Sequence, residues 1–230
     1  MIELTAEEVR VLGSLVEKER TVPDSYPLSL NSLLLACNQR TNRDPVVDYS
    51  EATVETALSG LRDHGLARRG VYAGSRVPKH RHVIEETLGI DPAGSAILSV
   101  LMLRGPQTVG ELKLRTERMH GFASLDDVEQ AIDRLAAGEE PYVVRLPRRP
   151  GQKELRIAHR LGGDVDAVRD PQPDGAADGY DEERNPAGSR SDRVVALELN
   201  VAALEARVGS LEGQLGALRA EFDALRAELE

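Results

Sequence analysis

One pattern occurs twice in the first 161 residues and leaves few folds open: three short helices, each opened by a capping residue, followed by a β-ribbon. In the first copy Thr5 and Glu8 have capping-box spacing, and Val9, Leu12 and Val16 recur behind them at helical intervals. Pro23 and Pro27 block continuation. Ser29 caps a second helix through Leu30, Leu33, Leu34 and Cys37. After a polar loop from Asn38 to Asp48, Ser50 caps a third, with Val54, Ala57, Leu58 and Leu61 inward. Two extended runs, 66–72 and 76–83, then flank Gly74-Ser75 as a hairpin. In the second copy Asp91 caps a helix with Pro92 in its first position, and Ile97, Leu98, Leu101 and Met102 form its buried face. Thr108 and Glu111 repeat the capping box. Ser124 opens a third helix with Val128, Ile132 and Leu135 inward. Runs 142–146 and 154–158 flank a second hairpin with a basic tip. Helix, helix, helix, hairpin is the winged-helix order. The chain is thus expected to be mainly α with small β-hairpins (α+β), as two tandem winged-helix domains, 1–88 and 89–161, each of a size able to fold alone.

Composition agrees. Aromatics are only 3% and Trp is absent, so the core must be built from Leu, Val, Ile and Ala. The same shortage argues against base-stacking platforms for single strands. Residues 162–230 hold 7 basic and 16 acidic side chains, and so carry −9 of the net −10. The two domains are therefore close to neutral. Cys37 is the single cysteine, which excludes an internal disulfide and fits a reducing compartment. The N-terminus is charged, and nowhere do 18 apolar residues run together. These features point to a cytoplasmic chain with no membrane partner.

Residues 162–190 are rich in Gly, Asp, Pro and Ala and read as a disordered acidic linker. Residues 191–230 read as a coiled-coil helix. Val194, Leu197, Val201, Leu204, Val208, Leu211, Leu215, Leu218, Phe222, Leu225 and Leu229 follow one another at intervals of three and four. Valine at a with leucine at d favours a parallel homodimer, in which Arg193 meets Glu198, Arg207 meets Glu212 and Glu221 meets Arg226. Gly209, Gly213 and Gly216 weaken the middle by about 1 kcal/mol each, but they lie off the seam. A single amphipathic helix packed back on the domains is the alternative.

The stretch from Tyr26 through Asn38-Gln-Arg-Thr-Asn-Arg-Asp-Pro-Val-Val resembles the signature of the YceH-like family, bacterial proteins of uncharacterised function. Leu103-Arg-Gly-Pro-Gln-Thr-Val-Gly-Glu-Leu, Arg118-Met-His-Gly-Phe and Val143-Val-Arg-Leu-Pro-Arg-Arg-Pro-Gly are similar to its second domain. The resemblance covers roughly residues 3–161 and implies two winged-helix domains, with no established activity. Pro78 departs from the family pattern by removing a ladder donor from the first hairpin, which leaves the length of that strand open.

Two surfaces are candidates for duplex DNA. The first hairpin carries Arg68, Arg69, Arg76, Lys79 and Arg81, and the second carries Arg145, Arg148, Arg149, Lys153 and Arg156, with Glu154 as the one carboxylate. Such cations can hold phosphates. The loop residues Asn38, Gln39, Arg40 and Arg43 stand where they could reach phosphates or base edges. The bland alternatives are edge strands kept apart by charge and a loop built for capping and turning. The third helices argue against base readout. One exposes Glu51, Glu55 and Asp63 with only Arg62, and the other exposes Asp126, Asp127, Glu129 and Asp133 with only Arg134.

No cofactor or metal is expected: His80-x-His82 and Cys37 are the sole candidates and are too few for zinc. There is no glycine-rich phosphate loop, triad or paired carboxylate in a cleft, so no enzyme is expected. Two readings remain. One is a coiled-coil dimer that binds duplex phosphates through its wings, DNA-associated or regulatory. The other is a scaffold whose acidic helix faces engage a protein partner.

Overall fold

The computed structural model describes residues 2–72, 77–148 and 154–163. Arg76, Arg149, Lys153, the acidic linker beyond residue 163 and the whole heptad seam lie outside the described residues.

Helix α1 (Ala6–Thr21) starts at Thr5, whose hydroxyl accepts from the Glu8 amide while the Glu8 carboxylate accepts from the Thr5 amide. A short 3-10 turn (Pro23–Ser25) leads to strand β1 (Leu28–Ser29) and helix α2 (Leu30–Cys37), capped by Ser29. Helix α3 (Glu51–Asp63) is capped by Ser50 and buries Val54, Ala57, Leu58 and Leu61. Gly60 on α3 makes room for the buried Glu8: a Cβ there would sit 1.7 Å from Glu8 Oε1. Strands β2 (Ala67–Gly70) and β3 (Lys79–His82) follow, then a short helix α4 (Ile84–Leu88) ended by Gly89 at φ +64°. The second copy comprises α5 (Pro92–Arg104), α6 (Val109–Thr116), α7 (Leu125–Ala136), β4 (Val143–Leu146) and β5 (Arg156–His159). Thr108–Glu111 and Ser124–Asp127 both form complete capping boxes. The chain is mainly helical with small antiparallel sheets.

The first sheet has the order β1-β3-β2, with Leu28 opposite His80 and Arg69 opposite His80 on the other side. Its ladder begins at Lys79, directly after Pro78, which has no N–H to donate. In the second sheet β4 pairs β5, and Gln107 forms a single bridge to Ile157, its amide and carbonyl bonded at 3.0 and 2.7 Å. Each hairpin therefore gains a third, vestigial strand just before the second helix of its copy. One or two residues cannot display a period of two, so these strands leave no pattern in the sequence.

The two copies share one core and belong to one compact unit. The reason is α5, every residue of which from Ala93 to Leu103 is buried. It lies against α1 so closely that a Cβ on Gly13 would stand 3.0 Å from Leu103 Cγ and 3.1 Å from Met102 Cβ. The Ser99 hydroxyl donates to the Gly13 carbonyl at 3.1 Å in this contact. Glu85 Oε1 accepts from both Arg20 of α1 and Ser95 of α5 at 2.6 Å. The Asp44 amide donates to the Leu103 carbonyl at 2.8 Å, and the Leu4 amide to the Leu161 carbonyl at 2.7 Å.

His159, on β5, has a buried Nδ1 with no partner among the described residues, and burial lowers its pKa from 6.5 to about 4. Between those values the unfolded chain binds the proton and the folded chain does not. Stability is therefore fully present above pH 6.5 and falls as the pH drops towards 4. Urea midpoints are expected to decline through that window, and His159→Leu is expected to flatten the decline. An unchanged slope in the variant would place its origin elsewhere.

Candidate functional site

Of the seven candidate hairpin cations among the described residues, four lie against the protein's own carboxylates. Arg68 Nη2 lies 3.2 Å from Glu86 Oε2 and Arg81 Nη1 lies 3.9 Å from Glu86 Oε1, so two guanidiniums converge on one α4 side chain. On β4, Arg145 bridges Glu129 Oε2 at 2.6 Å and Asp133 Oδ1 at 2.9 Å, both from α7. Arg156 donates to the Pro106 carbonyl at 2.8 Å and lies 3.5 Å from Glu111. Among the described residues, Arg69, Lys79 and Arg148 make no ion pair; Arg69 and Arg148 are exposed and Lys79 is half-buried. The α7 carboxylates expected to repel phosphates are thus the ones that hold Arg145.

The loop after α2 is a structural joint. Asn38 donates its backbone N–H to Leu34, and its side chain brackets Tyr49, accepting from the Tyr49 amide at 2.8 Å and donating to its carbonyl at 2.9 Å. Gln39 accepts from Lys18 at 3.3 Å. Arg43, expected at the surface beside Arg40, is buried instead: its guanidinium pairs with Glu17 at 2.6 Å and donates to the Ala36 carbonyl at 2.9 Å. It cannot reach a phosphate. Of this group only Arg40 is exposed without an ion pair among the described residues. The sequence offered no sign of Glu17 as its partner, since the two are 26 positions apart.

His80 and His82 alternate on β3 and are both buried. His82 Nε2 meets Glu19 Oε2 at 2.9 Å, and its backbone amide donates to the Tyr26 hydroxyl at 2.7 Å. Cys37 is buried, and burial pushes its thiol up to about 11. Among the described residues no three His, Cys, Asp or Glu side chains converge as metal ligands, and no helix is long and apolar enough to cross a membrane.

A groove of about 690 Å³ opens between the start of α2, the outer face of α3 and the first hairpin. Glu51 and Glu55 line it from α3, as does Arg62 two turns beyond, while Arg69 and His80 line it from the sheet. Leu30, Leu58 and Pro78 supply apolar lining. Its volume falls within the range of ligand clefts. Sequence reasoning treated Glu51, Glu55 and Arg62 as a solvated face and did not place them in a concavity.

Comparison with known proteins gives a consistent answer. Residues 4–152 match the family described as "Protein of unknown function, DUF480". A UPF0502 protein of Geobacter sulfurreducens is 50% identical over 198 residues, which is 85% of this chain and 87% of the relative. A UPF0502 protein of Opitutus terrae is 53% identical over 173 residues, 74% of this chain and 75% of its own. One from Burkholderia pseudomallei is 52% identical over 163 residues, covering 71% and 69%. With half of its residues shared over most of both lengths, the chain belongs to the DUF480, or UPF0502, family of bacterial proteins.

Proposed function

We propose that this chain is a tandem winged-helix module, paired through its C-terminal heptads, that works as a non-enzymatic protein-binding scaffold. The observation that carries the reading is the Arg145 clasp, with Glu129 at 2.6 Å and Asp133 at 2.9 Å. Surface pairs of this kind are worth little, about 0–1 kcal/mol, so a phosphate could displace them. Displacement would nevertheless leave two carboxylates beside the phosphate for each guanidinium gained. At the first hairpin the balance is milder, since Arg68 and Arg81 share the single Glu86 carboxylate. An acidic α3 face beside a bipolar groove suits a partner protein better than a polyanion. The heptad seam from Val194 to Leu229 would present two such modules together.

A second reading, binding of duplex phosphates, is favoured by Arg40, Arg69, Lys79 and Arg148, which make no ion pair among the described residues. Two measurements separate the readings. Fluorescence anisotropy of a labelled mixed-sequence duplex is taken with the full chain at about 50 and about 200 mM salt. The scaffold reading expects no saturable binding at either. The DNA reading expects binding that falls with salt at a log–log slope of about −0.9 per phosphate contact. Affinity capture then compares the native chain with one carrying Glu51→Lys, Glu55→Lys and Asp133→Lys. A protein retained by the first and lost from the second supports the scaffold; identical or empty captures remove it.

A further inference from the structure

The groove between α2, α3 and the first hairpin carries unpaired charge of both signs. Among the described residues neither Glu51 nor Glu55 forms an ion pair, and neither does Arg62 or Arg69. This contrasts with Arg68 and Arg81 of the same sheet, which both pair with Glu86. Glu51 and Glu55 are one turn apart on α3, and Arg62 lies seven residues past Glu55, about 10 Å along the helix axis. Leu58, which stands between Glu55 and Arg62 on α3, lines the groove together with Pro78 and His80. His80 is only 7% exposed, and its Nδ1 has no partner among the described residues, an unmet polar group that a folded core seldom leaves.

A ligand that satisfies this layout needs a cation at one end, an anion about 10 Å away, and apolar bulk between. Duplex DNA lacks the cation. A peptide in the extended polyproline-II conformation advances about 3.1 Å per residue with three residues per turn, so side chains three positions apart lie on one side and span roughly that distance. Its backbone also brings the hydrogen-bonding groups that the polar lining can meet. We propose that this groove seats an extended segment of a partner protein with a basic and an acidic side chain three residues apart, the basic one at Glu51 and Glu55 and the acidic one at Arg62 and Arg69. The proposal rests on the scaffold reading and names the chemistry of the segment the scaffold holds.

His80 provides a reporter inside the site. Burial lowers its pKa, and so do the charges of Arg62 on α3 and Arg69 on β2, with Glu55 opposing them. An acidic side chain placed between the two arginines would offset their field and move the imidazole titration upward.

The test uses the isotope-labelled full chain and three blocked peptides observed by nuclear magnetic resonance. One contains Lys-Leu-Val-Glu, one the reversed order Glu-Leu-Val-Lys, and one the neutral Gln-Leu-Val-Gln. One charged order is expected to bind at least about tenfold more tightly than the neutral peptide, with shifts on α3 and the first sheet. Glu55→Gln and Arg62→Gln, both surface changes, are each expected to weaken it about fivefold at unchanged melting temperature. The His80 titration is expected to rise in the complex. Equal affinity for all three peptides would overturn the proposal, as would charge-selective binding that ignores both substitutions and leaves His80 unmoved. If protein capture persists while the charged peptides fail, the groove proposal falls alone; if both fail, the scaffold reading falls with it.

Discussion

Replacing Arg43 by methionine is expected to lower the unfolding free energy by about 3 kcal/mol, the low end of the cost of breaking a buried pair, because it leaves the largely buried Glu17 carboxylate with only Lys18, at 3.2 Å, to offset it. The Arg43 side chain is fully buried, and that of Glu17 is 13% exposed. The guanidinium meets both oxygens of Glu17, at 3.0 and 2.6 Å, and donates to the carbonyls of Ala36 and Asn42. Burial alone would raise the Glu17 pKa, but the hydrogen bonds and charges of Arg43 first, and of Lys18 after it, overcome burial and hold the carboxyl below its usual value. A carboxylate depressed in the folded state stabilises above its unfolded pKa, and that contribution fades as the pH falls through the folded value. Without Arg43 only Lys18 opposes the burial effect. Glu17 then takes up its proton at higher pH, and the deficit is expected to shrink on acidification. Combining Glu17→Leu with Arg43→Met is expected to recover most of the loss, since a buried pair replaced on both sides by apolar groups is often neutral. Urea unfolding followed by circular dichroism measures each variant. A single-variant loss under about 1 kcal/mol would mean that the pair behaves as an exposed one.

Gly13→Val is expected to destabilise the fold by about 2–3 kcal/mol through overpacking. Glycine in a helix interior ordinarily costs about 1 kcal/mol relative to alanine, so its presence inside α1 calls for a compensating contact. That contact is α5: the first added carbon would stand 3.0 Å from Leu103 Cγ, and valine brings two more into the same space. The helices would have to separate, and the Ser99 hydroxyl would lose its bond to the Gly13 carbonyl. Leu103→Ala introduced alongside Gly13→Val vacates that space, so the double variant is expected to lose less than the two single losses combined. Strict additivity would show that the clash is not where the structure places it.

Much of the fold was legible because it is local. Caps at Thr5, Ser29, Ser50, Asp91, Thr108 and Ser124 announced six helices, and the inward residues of α3 and α7 followed from period alone. What escaped was non-local or very short. Strand β1 and the Gln107 bridge are too brief to carry a period, and α4 has only five residues. The union of the two copies was foreshadowed by α5, which has no charged residue between Pro92 and Leu103 and is apolar around its whole girth. A helix without a polar face is one surrounded by protein, whereas Ile97, Leu98, Leu101 and Met102 by themselves suggest a single buried stripe. For the site, charge identity was readable but charge pairing was not. Arg145, Glu129 and Asp133 meet only after β4 folds back along α7. Arg43 and Arg40 have the same sequence surroundings and opposite fates, because one of them reaches Glu17.

The continuous seam of α1 against α5 governs how the protein can hold on to anything larger than itself. Two modules joined by a tether must find their second contact by diffusion within the tether's reach, at an entropic penalty that grows with its length. Here the halves are set side by side by a shared interior, so a partner that meets both does so without that search. It must present its two contact points at a separation dictated by the protein.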